Sequence, residues 1–268
     1  MQRYIEKLFS QVSGEQMEAP AFDVLVLGEE MDGEFDQLKK ECPHLPKGWL
    51  ELSHLPQEDR VEFTRDFWIA SLPFHLEAVE KVTRFFDSVV EIGVLLGRGE
   101  HEKVYTPHMI YVLKDEMGFF HGRVGANSDI ESTLDALFPG TLFPPDYRAF
   151  LHIHDGFSKA SDSGVIPTFH LQRVNDHFQT LINREPGVLT TKGTSVNPHS
   201  LIPFYESFGM PYFQCFWKDW YPENEMGNVY YSGNEHKISD PVDKVLAVEE
   251  MAFPTFMDWL FFYLEAVV

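Results

Sequence analysis

The stretch from Pro144 to Phe157 (PPDYRAFLHIHDGF) constrains the fold more than any other part of this chain, because it marks both ends of one short helix. Pro145 suits a first helical turn, where its missing N–H has no partner to lose. Tyr147, Phe150, Leu151 and His154 fall at i, i+3, i+4 and i+7 and so share one face. Gly156 stands where the chain must leave the helix, and it accepts a positive φ at no steric cost.

With 268 residues and 44% hydrophobic content, the chain is long enough for one or two domains with a real core. Its 24 Phe, 10 Tyr and 5 Trp supply apolar area that argues against disorder. Lys and Arg total 21 against 42 Asp and Glu, a formal charge of −21. Residues 1–125 carry 13 basic and 23 acidic residues and residues 126–268 carry 8 and 19, so the acidity is spread and forms no tail. Such a field repels nucleic acid phosphates and anionic membranes and favours basic proteins as partners. Acidity that only keeps the chain soluble is the plainer alternative.

Cys42 and Cys215 are the two cysteines, too far apart in sequence for a disulfide framework and without a CxxC pair. Two buried free thiols in a reducing compartment are expected. Met1 to Ser10 has no long apolar core of the kind a secretory signal needs. The nearest approach to a membrane span, Phe253 to Val268, is interrupted by Asp258 and Glu265. The sequence therefore reads as soluble and cytoplasmic.

Periodicity predicts a helix within residues 1–20, a strand over Ala21–Leu27, and an acidic turn and helix over Glu29–Glu41. Cys42–Leu55, with Pro43 and Pro46, reads as irregular. Glu58–Ala70 reads as a helix with Phe63 and Phe67 on its apolar stripe, and His75–Phe86 as another with Val79, Val82 and Phe86 on one side. Ser88–Leu96 and Met109–Lys114 are β-rich, and Asp115–Gly118 turns the latter into Phe119–Val124 as a hairpin. Gly93–Gly99 lacks the Lys-Ser/Thr ending of a phosphate loop and reads as a glycine turn.

A second section begins near Asn127. Ser128-Asp129-Ile130-Glu131 has the capping-box pattern, followed by Ile130, Leu134 and Leu137 as a stripe. Pro167–Val174 reads as a strand, Asp176–Asn183 as a short helix and Glu185–Pro198 as a loop. Leu201–Phe204, Tyr212–Trp217 and Gly227–Tyr231 read as strands. The last helix is capped by Thr255 and buries Phe256, Leu260, Tyr263 and Leu264.

The order of these pieces resembles the SUKH superfamily, which takes in the yeast cell-wall regulators of the Smi/Knr type and many bacterial immunity proteins. The resemblance rests on Ser128–Phe138, then Phe143-Pro144-Pro145-Asp146-Tyr147, then His154-Asp155-Gly156, Leu201-Ile202-Pro203-Phe204, the aromatic run Tyr212–Phe216, Asn228-Val229-Tyr230-Tyr231 and the phenylalanine-rich final helix. It covers about residues 126–268 and leaves residues 1–125 as an N-terminal region of unknown type, α+β or α/β. It implies an α+β fold whose mostly antiparallel sheet carries helices on one face. It also implies protein binding, often as an immunity protein that masks a toxin domain, with no catalytic residues and no cofactor.

Several side chains invite other chemistry. His152-Ile153-His154-Asp155 has the donor types for zinc or iron, with His170 and His177 as further imidazoles, and a metal-dependent hydrolase is the competing function. On a helix, however, residues i and i+2 point about 200° apart, so the two imidazoles converge only if the helix ends before His154. Cys215 sits among aromatics in an acidic chain, which suits core packing better than nucleophilic catalysis. Glu223 and Glu225 look like paired carboxylates, though Pro222 and Asn224 favour a solvated loop.

The segment Phe216 to Glu225 mixes large aromatics with acidic groups, as protein interfaces do. Trp217, Asp219, Trp220, Tyr221, Glu223 and Glu225, joined by Asp155, are therefore the expected partner-binding residues. The plainer reading has Trp217 and Trp220 packing beneath the loop. The function expected from the sequence is non-enzymatic binding of a protein partner of basic character.

Overall fold

A computed structural model describes residues 23–99, 101–114, 118–126, 129–160, 162–183, 187–207, 211–241 and 247–265. The helix expected within residues 1–20, Ser128 of the expected capping box and residues 115–117 of the expected turn lie outside them. The fold is α+β with a mostly antiparallel sheet. The chain divides into two compact units. One comprises residues 1–70, 79–124 and 157–161, and the other residues 71–78, 125–156 and 162–268.

The first unit is built on five strands in the order β1 (Asp23–Val26), β2 (Val89–Arg98), β3 (Thr106–Leu113), β4 (Phe119–Arg123) and β5 (Phe157–Lys159). Every pairing among them is antiparallel, so this unit has α+β rather than α/β character. The β3–β4 hairpin is present as expected, with Tyr111 opposite Phe120. Gly93 and Gly97 belong to β2 and form no turn, while Gly99, just past the strand, accepts the Glu102 N–H at 2.9 Å, as a turn after the strand requires. Gly93 lies opposite Ile110 and Gly97 opposite both Thr106 and Val24.

Helices α1 (Phe35–Glu41), α2 (Lys47–Ser53), α3 (Gln57–Ser71) and α4 (Leu76–Asp87) precede β2. The segment with two prolines, expected to be irregular, holds α2. Pro46 sits just before the first turn, where a proline costs no hydrogen bond. Leu38, Cys42, Leu45 and Leu50 pack on Leu27, Val94 and Leu96 of the sheet. Farther along, Trp68 is fully buried and donates its indole N–H to the Tyr111 hydroxyl at 3.1 Å. Phe85, Phe86, Tyr111 and Phe157 surround its ring at 5.7–5.9 Å. The stripe expected on α3 is corrected by this packing: Thr64 and Trp68 face inward, while Phe63 and Phe67 are 62% and 47% exposed.

In the second unit, α5 (Ile130–Leu137) and α6 (Pro145–Ile153) come first, with Pro145 opening α6 as expected. Gly125 passes so close to the end of α6 that an added Cβ would lie 1.9 Å from the His152 carbonyl oxygen. The strands run in the order β6 (Gly164–Val165), β8 (Leu201–Glu206), β9 (Tyr212–Trp217), β10 (Asn228–Ser232), β11 (Lys237–Ile238) and β7 (Leu189–Thr190). Only β11–β7 is parallel among the described pairings of this unit. After the short α8 (Ala247–Glu250), β12 (Ala252–Phe253) pairs with β10 and leads into α9 (Phe256–Glu265).

Strand alternation divides the two faces of this sheet. Phe204 and Phe216 point to α6 and α9, where they meet Tyr147, Phe256 and Trp259 at ring separations of 4.8–6.4 Å. Phe213, Cys215, Val229 and Tyr231 point the other way and pack on Phe178 and Ile182. Those two residues belong to α7 (Thr168–Ile182), which replaces the strand and short helix expected over Pro167–Asn183. Helices therefore cover both faces of this sheet, where one covered face was expected. The final helix keeps its expected stripe, with Phe256, Leu260, Tyr263 and Leu264 buried.

Candidate functional site

The site is built where α6 and α9 begin. Asp146, the second residue of α6, is 5% exposed. One of its oxygens accepts the Tyr147 N–H at 2.8 Å, and the other accepts the Met257 N–H at 2.7 Å in the first turn of α9. A carboxylate placed there satisfies an orphan amide and meets the positive end of the helix dipole. Thr255 completes the cap as expected: its hydroxyl oxygen accepts the Asp258 N–H at 3.0 Å and its O–H donates to the Asp258 carboxylate at 2.9 Å.

A pair of buried amides fixes the approach to that cap. Gln214 donates to the Asn228 side-chain carbonyl at 2.8 Å and to the Met251 carbonyl at 3.2 Å. Asn228 in turn donates to the carbonyls of Phe253 and Thr255 at 3.2 and 2.9 Å. Buried polar groups paired this fully hold a segment in one place.

Between these helix starts lies a groove of about 280 Å³. Five carboxylates line it: Glu77, Asp146, Glu223, Glu225 and Asp258. Its apolar lining comes from Pro73, Phe74, Pro145, Met257 and Phe261, with His75 and Thr255 among the remaining residues. Phe74 is 86% exposed, unusual for a phenylalanine with no core to cover. Burial, aided by the Glu225 charge and opposed by the Met257 and Tyr147 N–H groups, pushes the Asp146 carboxyl up to about 6. Burial and then Glu223 also raise Glu225, while Arg148 offsets them. The Arg148 guanidinium is itself paired with Glu131.

Of the seven residues expected to bind a partner, Glu223 and Glu225 line this groove. Asp219 and Tyr221 are exposed on the same loop but do not line it. Trp217 is a core residue, packed with Leu201 and Cys215, and donates its indole N–H to Ser200 Oγ at 3.1 Å. Trp220 is half-buried against the same core and lies so close to Gly227 that a Cβ there would sit 2.5 Å from its ring. The two tryptophans thus support the loop from below, which removes them from the expected surface. Asp155 is spent on α7: its two oxygens accept the Thr168 N–H and the Thr168 hydroxyl, both at 2.7 Å.

The imidazole pair does not form a shared centre. Helix α6 ends at Ile153, leaving His152 exposed with Nδ1 3.4 Å from the Ala126 carbonyl oxygen. His154 is buried beside the Phe150 ring. Among the described residues, no group of three or more His, Cys, Asp or Glu side chains is placed to hold a metal ion. Cys215 is fully buried, and desolvation drives its thiol well above the usual range, away from nucleophilic use.

Asp146, Phe74, Glu77 and Asp258 escaped the sequence reading as site residues. Asp146 was visible only as part of a helix-opening motif, and no periodic signal announces that a helix start will stand beside another helix start. Compared with family models, curated proteins and solved structures, the chain matches none. Among the described residues no helix is long and apolar enough to cross a membrane.

Proposed function

We propose that the chain is a non-enzymatic binding module whose second unit recognises a basic protein through the acidic groove and the adjoining loop of residues 218–225. The observation that carries this reading is the gathering of Asp146, Glu223 and Glu225 in one groove, none of them ion-paired among the described residues, beside the exposed Phe74. Aromatic surface next to carboxylates without a cationic partner among the described residues is what a polar interface offers. The formal charge of −21 favours a cationic partner and disfavours nucleic acid. The resemblance of residues 126–268 to the SUKH superfamily supports the same reading, with an immunity-type role that masks a basic toxin. Cys42 and Cys215, both buried free thiols, suit a cytoplasmic setting.

Capture from native lysate followed by kinetics on the identified partner tests this. The control is the Tyr221→Ala, Glu223→Gln, Glu225→Gln variant, which leaves the buried Trp217 in place. Association is expected to slow steeply between about 0.01 and 0.15 M salt, as the screening length falls from about 30 to 8 Å. A partner that is itself acidic, or an on-rate indifferent to salt and to the variant, overturns the proposal.

A further inference from the structure

We infer that the groove between the starts of α6 and α9 receives one arginine side chain presented by the partner polypeptide. This rests on the reading that the partner is basic, and it names the chemistry that the groove selects.

Size comes first. Sites for cofactors and drug-sized ligands run to about 300–1,000 Å³. At about 280 Å³ the groove stands at the lower edge of that range and has room for a single long side chain. Its lining comes next. An occupant meets the carboxylates of Asp146, Glu223 and Glu225 and also lies against Pro145, Met257 and Phe261. A side chain with an aliphatic stem and a cationic head does both.

The carboxylates themselves choose among cations. No three of them converge as metal ligands do. An extended, planar cation with several donors fits a dispersed set better than a point charge does. The Asp146 carboxylate accepts the Tyr147, Met257 and Asp146 N–H groups, which leaves part of the about four acceptor positions of an ionised carboxylate. Its remaining capacity is desolvated and meets no cationic side chain among the described residues. The guanidinium fork can take two such acceptors at once. Phe74, exposed at the same groove, offers a ring face on which a guanidinium stacks.

Amide NMR of the intact ¹⁵N-labelled chain tests this with capped Gly-Arg-Gly, Gly-Lys-Gly and Gly-citrulline-Gly as probes. The arginine peptide is expected to shift the Glu225, Met257 and Asp258 amides saturably, the lysine peptide to bind more weakly, and the neutral citrulline peptide not to bind. Because Asp146→Asn also weakens the α9 cap, Glu225→Gln is the cleaner variant, and it is expected to weaken arginine binding about tenfold, the scale of one charged hydrogen bond. Unmoved groove amides, or equal shifts with citrulline, overturn the inference. Lysine binding as tightly as arginine overturns the guanidinium preference. If a basic partner binds the chain while the arginine peptide leaves the groove untouched, this assignment falls alone. If the peptide binds and the chain's partner is not basic, the functional reading falls and the groove stands.

Discussion

Around Trp68 the first unit closes with rings: Phe85, Phe86, Tyr111 and Phe157 touch one indole whose single polar atom meets a tyrosine hydroxyl. The second unit has its own aromatic layer about Phe204 and Phe216, but buried polar side chains make many of its joins. Asp146 fastens α6 to α9, Asp155 starts α7, Gln214 and Asn228 anchor residues 251–255, and Asp162 accepts from the Tyr205 and Tyr263 hydroxyls at 2.7 and 3.0 Å. In the first unit the corresponding carboxylate, Asp23, sits near the surface with Arg98 and Tyr105. A buried carboxylate works only at one place, and where its capacity is not used up it is available to a ligand.

The sharpest attempt to break this contrast is Trp68→Ala. Emptying a fully buried indole site should cost about 3–5 kcal/mol in urea unfolding. A loss below about 1 kcal/mol would show that the ring cluster is not what holds the first unit together.

Titration gives the next largest effect, and the two units should differ in sign. Asp146 has its folded value raised to about 6, above an ordinary value of 3.8. The native state therefore holds that proton more tightly than the unfolded chain does. Its contribution is fully present below about 4 and is lost as pH rises through 6, amounting to about 2–3 kcal/mol. Asp23 is lowered, first by the Tyr105 hydroxyl and then by Arg98, with burial opposing them. Its contribution is present above the ordinary carboxylate range and is lost as pH falls through its lowered value. Urea midpoints measured from pH 4 to 6 should fall in the parent relative to Asp146→Asn; superimposed profiles would remove Asp146 from the account.

The smallest effect belongs to Asp155→Ala, expected to cost about 1 kcal/mol, the usual worth of a helix cap. Hydrogen exchange should quicken in the first turn of α7 while β8–β10 stay protected. Unchanged exchange at Thr168 would mean that Pro167 alone sets the start of that helix.

The legible parts of the sequence were those with local signals. Pro145 opened α6, although the helix ended at Ile153, before the expected exit at Gly156; Thr255 capped α9, and the strands at Tyr212–Trp217 and Asn228–Ser232 stood almost where alternation put them. Helix α7 stands where a strand is expected because its leading residues, Thr168-Phe169-His170, look β-prone, although Leu171, Val174, Phe178 and Ile182 recur at helical spacing. On α3 the buried stripe differs from the one hydrophobicity predicts, since Phe63 and Phe67 are more hydrophobic than Thr64 but burial follows where Trp68 packs. In the groove, Glu223 and Glu225 were found through the aromatic and acidic texture of their loop. Asp146 and Phe74 were not, since neither carries such a texture.

By itself the sequence determined the acidic charge, the α+β class and the starts of its best-marked helices, because these depend on composition and on neighbours a few residues apart. The tertiary structure decided which sheet faces are covered, which tryptophans are core and which carboxylates stand together. Those outcomes depend on residues such as Asp146 and Met257, 111 positions apart, meeting through the fold, and no local pattern encodes that distance.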